Sequence, residues 1–170
     1  QIIEKSADLF KFKANEKGLK FNMKLEETPM VYADPTSLSK VVSDIIDNAV
    51  KYTDKGFVNI TSGYVSESRE VFVKIRDTGV GIDENYLPRV FEAFRQESLG
   101  YSRAYQGAGL GLPLAKRLLE LMNGRIEIDS KKDEGTNAIL YIPTKEKVIN
   151  KSSQEKSSAS GKKSAPELMK

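Results

Sequence analysis

The chain has 170 residues, 39% hydrophobic and 30% charged, with a formal net charge of +3; this suits one soluble α/β domain with an adequate core. It contains no cysteine and no histidine, which excludes a disulfide framework, thiolate chemistry and the commonest general base and metal ligand, and suits a reducing cytosol. No apolar run is long enough to span a bilayer and no signal-peptide pattern is present.

The positive charge is uneven. After Pro143 come 7 lysines and 3 acids, which leaves 20 basic against 21 acidic residues before it. A nucleic-acid footprint on that earlier part is unsupported. The first residue is Gln1, as expected for a piece of a longer protein.

In chain order, Ile3, Ala7, Phe10 and Ala14 mark one helical face, and Gly18 can end that helix. Leu19, Phe21, Met23 and Leu25 alternate with polar residues and predict a strand, and residues 31–33 offer a second, very short one. Asp34-Pro35, a cap followed by proline, starts a helix that ends near Tyr52. Its apolar stripe is Leu38, Val41, Val42, Ile45, Ile46 and Ala49. Asp54-Lys55-Gly56 turns the chain. Residues 57–65 and 70–76 predict an antiparallel pair, and Asp77-Thr78-Gly79-Val80-Gly81 breaks its second strand. A short helical piece follows Asp83, interrupted by Pro88.

Gln106-Gly107-Ala108-Gly109-Leu110-Gly111-Leu112 then runs into a helix with Leu110, Leu114, Leu118 and Leu121 at helical spacing. Pro113 fits its first turn, and Gly124 is its expected stop. Residues 124–130 and 136–142 predict a closing hairpin around Asp133-Glu134-Gly135. From about Glu146 the chain is rich in Ser and Lys and reads as a disordered tail or linker. The expected organisation is a domain over 1–143 and a tail over 144–170. Because the elements cluster and strands pair locally, the predicted fold is a two-layer α/β sandwich, a mixed and mainly antiparallel sheet with helices on one face.

Several constellations stand out for the site. Glycines at 107, 109 and 111 let backbone N–H groups close on an anion, and the helix N-terminus after them attracts phosphate. Tight packing or a hinge would use the same glycines. A Rossmann reading fails because no apolar strand precedes them, and no Walker pattern occurs. On the second helix, Asp44, Asn48 and Lys51 lie on one side at i, i+4 and i+7. Asn48 offers a neutral, hard oxygen suited to Mg²⁺ and Lys51 a point charge for phosphate; a solvated polar edge explains them too.

Asp77 can accept a hydrogen bond from a ligand amine while Gly79 and Gly81 let a flat ring approach the backbone, or it ends the strand in an Asx-turn. Phe91 and Phe94 stand three apart before the glycine-rich stretch and read as a hydrophobic plug. Arg95, Gln96, Tyr101, Arg103 and Tyr105 are candidates to reach a nucleotide from a lid, or are exposed loop residues. Gly135-Thr136 is the least specific feature.

The order and spacing of these pieces resemble the ATP-binding catalytic domain of sensor histidine kinases, within the superfamily shared with gyrase, MutL and heat-shock chaperones. The resemblance covers about residues 1–143. Residues 44–53, Asp-Ile-Ile-Asp-Asn-Ala-Val-Lys-Tyr-Thr, look like the N box, and Asp77-Thr78-Gly79-Val80-Gly81 like the first glycine box. Residues 91–94 look like the F box, residues 107–112 like the second glycine box, and Gly135-Thr136 like the third.

The resemblance implies a Bergerat-type fold holding ATP between the second helix and a lid. It implies a catalytic set of Asn48, Asp44 and Lys51, with Asn48 on Mg²⁺. Lys51 with Gly107, Gly109, Leu110 and Gly111 would handle phosphate. Tyr52 would lie against the adenine and Asp77 would recognise its exocyclic amine, with Gly79, Gly81 and Thr136 completing the contacts.

The sequence departs from the pattern in places. Asp44 stands where these kinases usually have Asn; an acid there acts as a base for water in ATPase relatives, so it favours hydrolysis or tunes Mg²⁺. Gln106 replaces a frequent glycine, Ala138 a frequent aromatic and Gln96 a frequent arginine. Lacking histidine, the chain cannot be its own phosphoacceptor. The implied partners are a histidine-bearing dimerisation domain of the same parent, preceding Gln1, and a downstream receiver domain, with no nucleic acid or membrane contacted. The rival readings are an ATPase of the superfamily and a degenerate nucleotide- or partner-binding module.

Overall fold

Apolar residues at period two and at period 3.6 sort this chain into a sheet and the helices that cover it. A computed structural model describes residues 1–95 and 109–145. The helices are α1 (Ile2–Glu16), α2 (Pro35–Lys51) and α3 (Gly111–Leu121). The strands are β1 (Lys20–Leu25), β2 (Phe57–Val65), β3 (Glu70–Asp77), β4 (Arg125–Lys131) and β5 (Gly135–Pro143). They lie in the order β1-β2-β3-β5-β4, with β1 parallel to β2 and every other neighbour antiparallel. This is the mixed, mainly antiparallel α/β sandwich that the clustering of elements predicts.

The core lies between the helices and one sheet face. Val58, Ile60, Val73, Ile75, Ala138 and Leu140 from the strands meet Ala7 and Ala14 of α1, the α2 stripe, and Ala115 and Leu119 of α3. All six predicted stripe residues of α2 are at most 5% exposed. Asp34 caps that helix, its side chain accepting the Ser37 N–H at 2.7 Å, with Pro35 in the first turn. Alternation along β3 buries Val73 and Ile75 and carries Asp77, the strand's last residue, onto the same face.

Several expectations need correction. Met23, expected on the buried face of β1, is 41% exposed on this edge strand, while Phe21 and Leu25 pack against the core. Pro88 does not interrupt a helical piece; it sits inside the 3-10 turn Leu87–Arg89, where its missing N–H costs nothing. Leu110, Leu114 and Leu121 do not face the core of α3. Ala115, Leu119 and Met122 do, on a competing stripe whose small alanine admits close approach.

Nor does Gly124 take the left-handed stop after α3. Asn123 does, at φ 56°, while Gly124 lets the Tyr141 carbonyl oxygen come within 2.5 Å of where a Cβ would stand. Residues 31–33 form only a bridge between Val31 and Thr144. Thr144 is buried and its N–H donates to Arg69, so packing runs on to the end of the described residues; the Ser/Lys-rich stretch lies outside them.

Candidate functional site

The end of α2, the end of β3 and the tip of the β4–β5 hairpin meet at Asp77. This residue is 7% exposed, and its Oδ1 accepts the Gly79 N–H at 2.8 Å and the Thr136 N–H at 3.2 Å. The Thr53 hydroxyl, which donates to the Ala49 carbonyl at 2.7 Å, lies against the same carboxylate. Burial pushes the Asp77 pKa above the ordinary value of 3.8, overriding the lowering by Gly79, Thr136 and Thr53. The Asx-turn and the organised acceptor are thus one arrangement.

The glycines around Asp77 are places where backbone crosses backbone. A Cβ on Gly79 would run into the Tyr52 carbonyl, one on Gly81 into that of Lys131, and one on Gly135 into that of Asp77. Gly81 and Gly135 also have φ of 62° and 99°. The space beside Gly79 and Gly81 is therefore filled by the chain itself, which gives both glycines a packing role. Val80 N–H donates to the Tyr52 carbonyl at 3.1 Å and Asp133 N–H to Val80 at 2.8 Å, closing the loop over both neighbours.

One turn back along α2, Asn48 faces a second feature. Its Nδ2 lies 4.0 Å from where a Cβ on Gly111 would stand, so the amide looks at the start of α3. Leu110 precedes that helix and offers its first N–H groups no side-chain cap. Gly109, at φ 67°, packs on Arg95, and its carbonyl accepts the Phe94 N–H at 3.2 Å. Lys51 and Tyr52 lie between the two features, the Lys51 ammonium 5.1 Å from the Tyr52 ring centroid. Asp44 is paired with Lys40 at 2.5 Å.

Of the sequence-derived site residues, Tyr52, Asp77, Gly79, Gly81 and Thr136 are thus brought together at one end, and Asn48, Gly109, Leu110 and Gly111 at the other, along the side of α2 that carries Asp44 and Lys51. Gln96, Tyr101, Arg103, Tyr105, Gln106 and Gly107 lie outside the described residues. The plug expected of Phe91 and Phe94 fails for Phe94, which is 80% exposed; Val90 is the buried residue there. Phe91 instead carries the Lys116 ammonium 5.0 Å from its ring centroid.

Two supporting residues carried no assigned role in the sequence reading. Thr53 is fully buried, and Ser130 Oγ ties Ile82 N–H, Gly135 carbonyl and Thr136 Oγ1 together, each at 2.9 Å. Thr53 is signalled by a hydroxyl just past a helix end and by its place as the last residue of the N-box stretch; Ser130 has no signal, because its partners are set by the hairpin's docking.

Among the described residues no group of three His, Cys, Asp or Glu could hold a metal alone. Asn48 has its Nδ2 nearest Gly111, and its one hard side-chain oxygen suits a cation that takes its other ligands from phosphate and water.

Residues 33–146 match a family model described as histidine kinase-, DNA gyrase B-, and HSP90-like ATPase. The chain is 32% identical over 145 residues to the signal transduction histidine-protein kinase BarA of Escherichia coli, covering 82% of this chain and 16% of BarA; it therefore spans about a sixth of that relative. Full-length ShkA in complex with AMPPNP superposes with a TM-score of 0.72 at 29% identity, over 84% of this chain and 29% of ShkA. The catalytic domain of histidine kinase ThkA shares the fold, with a TM-score of 0.71 at 24% identity over 84% of this chain and 92% of that domain.

Proposed function

The chain belongs to the family of histidine kinase-, DNA gyrase B- and HSP90-like ATPases, and from that premise we propose that it binds Mg²⁺–ATP along α2 and passes the γ-phosphoryl group to a histidine outside this sequence. It is the catalytic, ATP-binding domain of the sensor-kinase type. The observation that carries the nucleotide site is Asp77, a buried carboxylate held by two backbone donors.

With Oδ1 so anchored, the other oxygen of Asp77 accepts from the exocyclic amine of adenine, and the Tyr52 ring lies against the base. Thr136 and Gly79 orient that carboxylate; Gly81 and Gly135 set the loop height. The backbone N–H groups of Gly107, Gly109, Leu110 and Gly111 and the Lys51 ammonium receive the phosphates. The Asn48 side-chain oxygen would be the protein ligand to Mg²⁺, which when bound supplies charge neutralisation on the phosphates. Phosphoryl transfer depends on positioning and charge neutralisation, so this domain needs no nucleophile of its own.

Having no histidine, it requires an acceptor domain. A histidine-bearing dimerisation domain of the same parent fills that role, and a receiver domain takes the phosphoryl group onward, in the cytoplasm. The domain runs past Pro143 through the packed Thr144 and Lys145, and the Ser/Lys-rich stretch after them serves as a linker. Against the rival hydrolytic reading, the Asp44 carboxylate is already engaged by the Lys40 ammonium at 2.5 Å.

The test mixes the chain with ATP, Mg²⁺ and a separately prepared histidine-bearing dimerisation domain. Acid-labile phosphate on that domain is expected, and Asp44→Asn should retain it. ATP binding without any such phosphate, accompanied by free phosphate release that Asp44→Asn abolishes, would replace the kinase reading with the hydrolytic one.

A further inference from the structure

The C-terminal end of α2 accounts for each of its carbonyls. Tyr52 N–H donates to Asn48 at 2.9 Å, the Thr53 hydroxyl to Ala49 at 2.7 Å, and Val80 N–H to Tyr52 at 3.1 Å. The three that remain converge on one ammonium from another element. Lys17 Nζ donates to the carbonyls of Val50 at 2.9 Å, Lys51 at 2.9 Å and Thr53 at 2.8 Å. An ammonium has three donors, and all three are used. The charge also sits where the dipole of α2 is negative, with Asp54 3.7 Å away.

Lys17 belongs to α1's end, not to α2. It is the C-cap of α1, and Gly18 beside it turns left-handed at φ 70°. It stands outside the residues matched by the family model, 33–146. The segment it grips is the one that presents the base end of the site. Tyr52 offers its ring and, through its carbonyl, the ceiling on which Gly79 and Val80 pack; Thr53 touches Asp77. A shift of that turn moves Tyr52 and Asp77 relative to each other, while Asn48 and Gly111, a turn away, stay put.

We propose that Lys17 is a positioning residue for the adenine end of the nucleotide site, its ammonium fixing the turn after α2 so that α1 is coupled to nucleotide affinity. This rests on the reading that Asp77 and Tyr52 take the base. Arginine cannot reproduce it fully, because a planar fork does not radiate three donors from one point.

Lys17→Met, checked for native circular dichroism, is titrated with ATP and with adenosine by calorimetry, and is then used over a range of Mg²⁺–ATP concentrations up to saturation to phosphorylate the histidine-bearing domain. Both ligands should weaken by the same factor, about tenfold for lost hydrogen bonds. The transfer kcat should be unchanged while KM rises, and Lys17→Arg should recover part of the loss. A merely structural role would lower Tm yet leave the folded fraction binding ATP normally, and that result overturns the proposal. So does a loss confined to ATP, which would place Lys17 on the phosphates. If Lys17→Met does not fold, Lys17→Gln reads the same pair of affinities, and unchanged values overturn it. If the unaltered chain binds neither ligand, the nucleotide reading itself has failed, and this inference falls with it.

Discussion

To take the proposed contact with adenine, Asp77 has to be charged in a place that penalises charge. Its pKa is raised above 3.8 by burial, so the folded chain holds that proton more tightly than the unfolded chain does. The sign of the linkage follows: the group favours folding most at low pH, and that contribution is lost as pH rises through the raised pKa. At neutral pH the carboxylate therefore costs stability, a cost in keeping with the binding role proposed for it. Asp77→Asn should leave Tm at pH 7 unchanged or higher while weakening ATP by about 10- to 100-fold, the worth of a hydrogen bond to a charged group. Calorimetry across pH should show the unaltered chain losing affinity on acidification through the raised pKa, and the variant showing no such step.

Two glycines make a contrasting pair at the same scale. Gly81 combines φ 62° with a Cβ position filled by the Lys131 carbonyl, so Gly81→Ala should cost about 2–3 kcal/mol in urea unfolding. Gly111, among the described residues, has only the Asn48 amide, at 4.0 Å, and starts a helix. Gly111→Ala should leave stability intact or raise it by up to about 1 kcal/mol, yet weaken ATP by crowding the Asn48 face. If both variants lose stability alike, the start of α3 is packing and not a cradle.

At the scale of elements, the sequence was most readable where one residue set had one use. In α2 the apolar stripe, the Asp34 cap and Pro35 agree, and the helix forms where they place it. In α3 two apolar stripes compete, and periodicity cannot choose between them; only contact with α2 selects Ala115, Leu119 and Met122. Asp77 and Gly79 were legible because a carboxylate followed by glycines interrupts an apolar strand. The Lys17 contact was not legible, since 33 to 36 residues separate it from its acceptors and any lysine at a helix end looks alike.

The same limit hid the pair that ties β3 to β4. Glu70 is 4% exposed, Arg125 Nη1 donates to it at 2.5 Å, and the guanidinium lies 3.7 Å over the Tyr141 ring. Arg125→Ala should cost about 1–3 kcal/mol in urea, less than for a fully buried pair because the arginine is half exposed. A cycle with Glu70→Gln should give a coupling of about 1 kcal/mol or more, and additivity would deny the pair any role.

Across the whole molecule, the two ends of the proposed site belong to different neighbours of α2: Asp77 to β3 and the hairpin tip, Gly111 to α3. A ligand touching both must stabilise the folded chain by mass action, by about 2.7 kcal/mol when free nucleotide is 100 times its Kd. For a chain of this size that is a rise of roughly 5–10 °C in Tm. The two ends can be read separately from such a melt. Adenosine at the same multiple of its own Kd should give the same shift with or without EDTA, because the base end requires no cation. ATP at fixed concentration should lose part of its shift in EDTA, and Asn48→Ala should abolish that EDTA-sensitive part alone. A shift that EDTA leaves untouched, or that Asn48→Ala removes for adenosine as well, would mean that α2 does not separate a base end from a cation end, and that its polar edge serves only solvation.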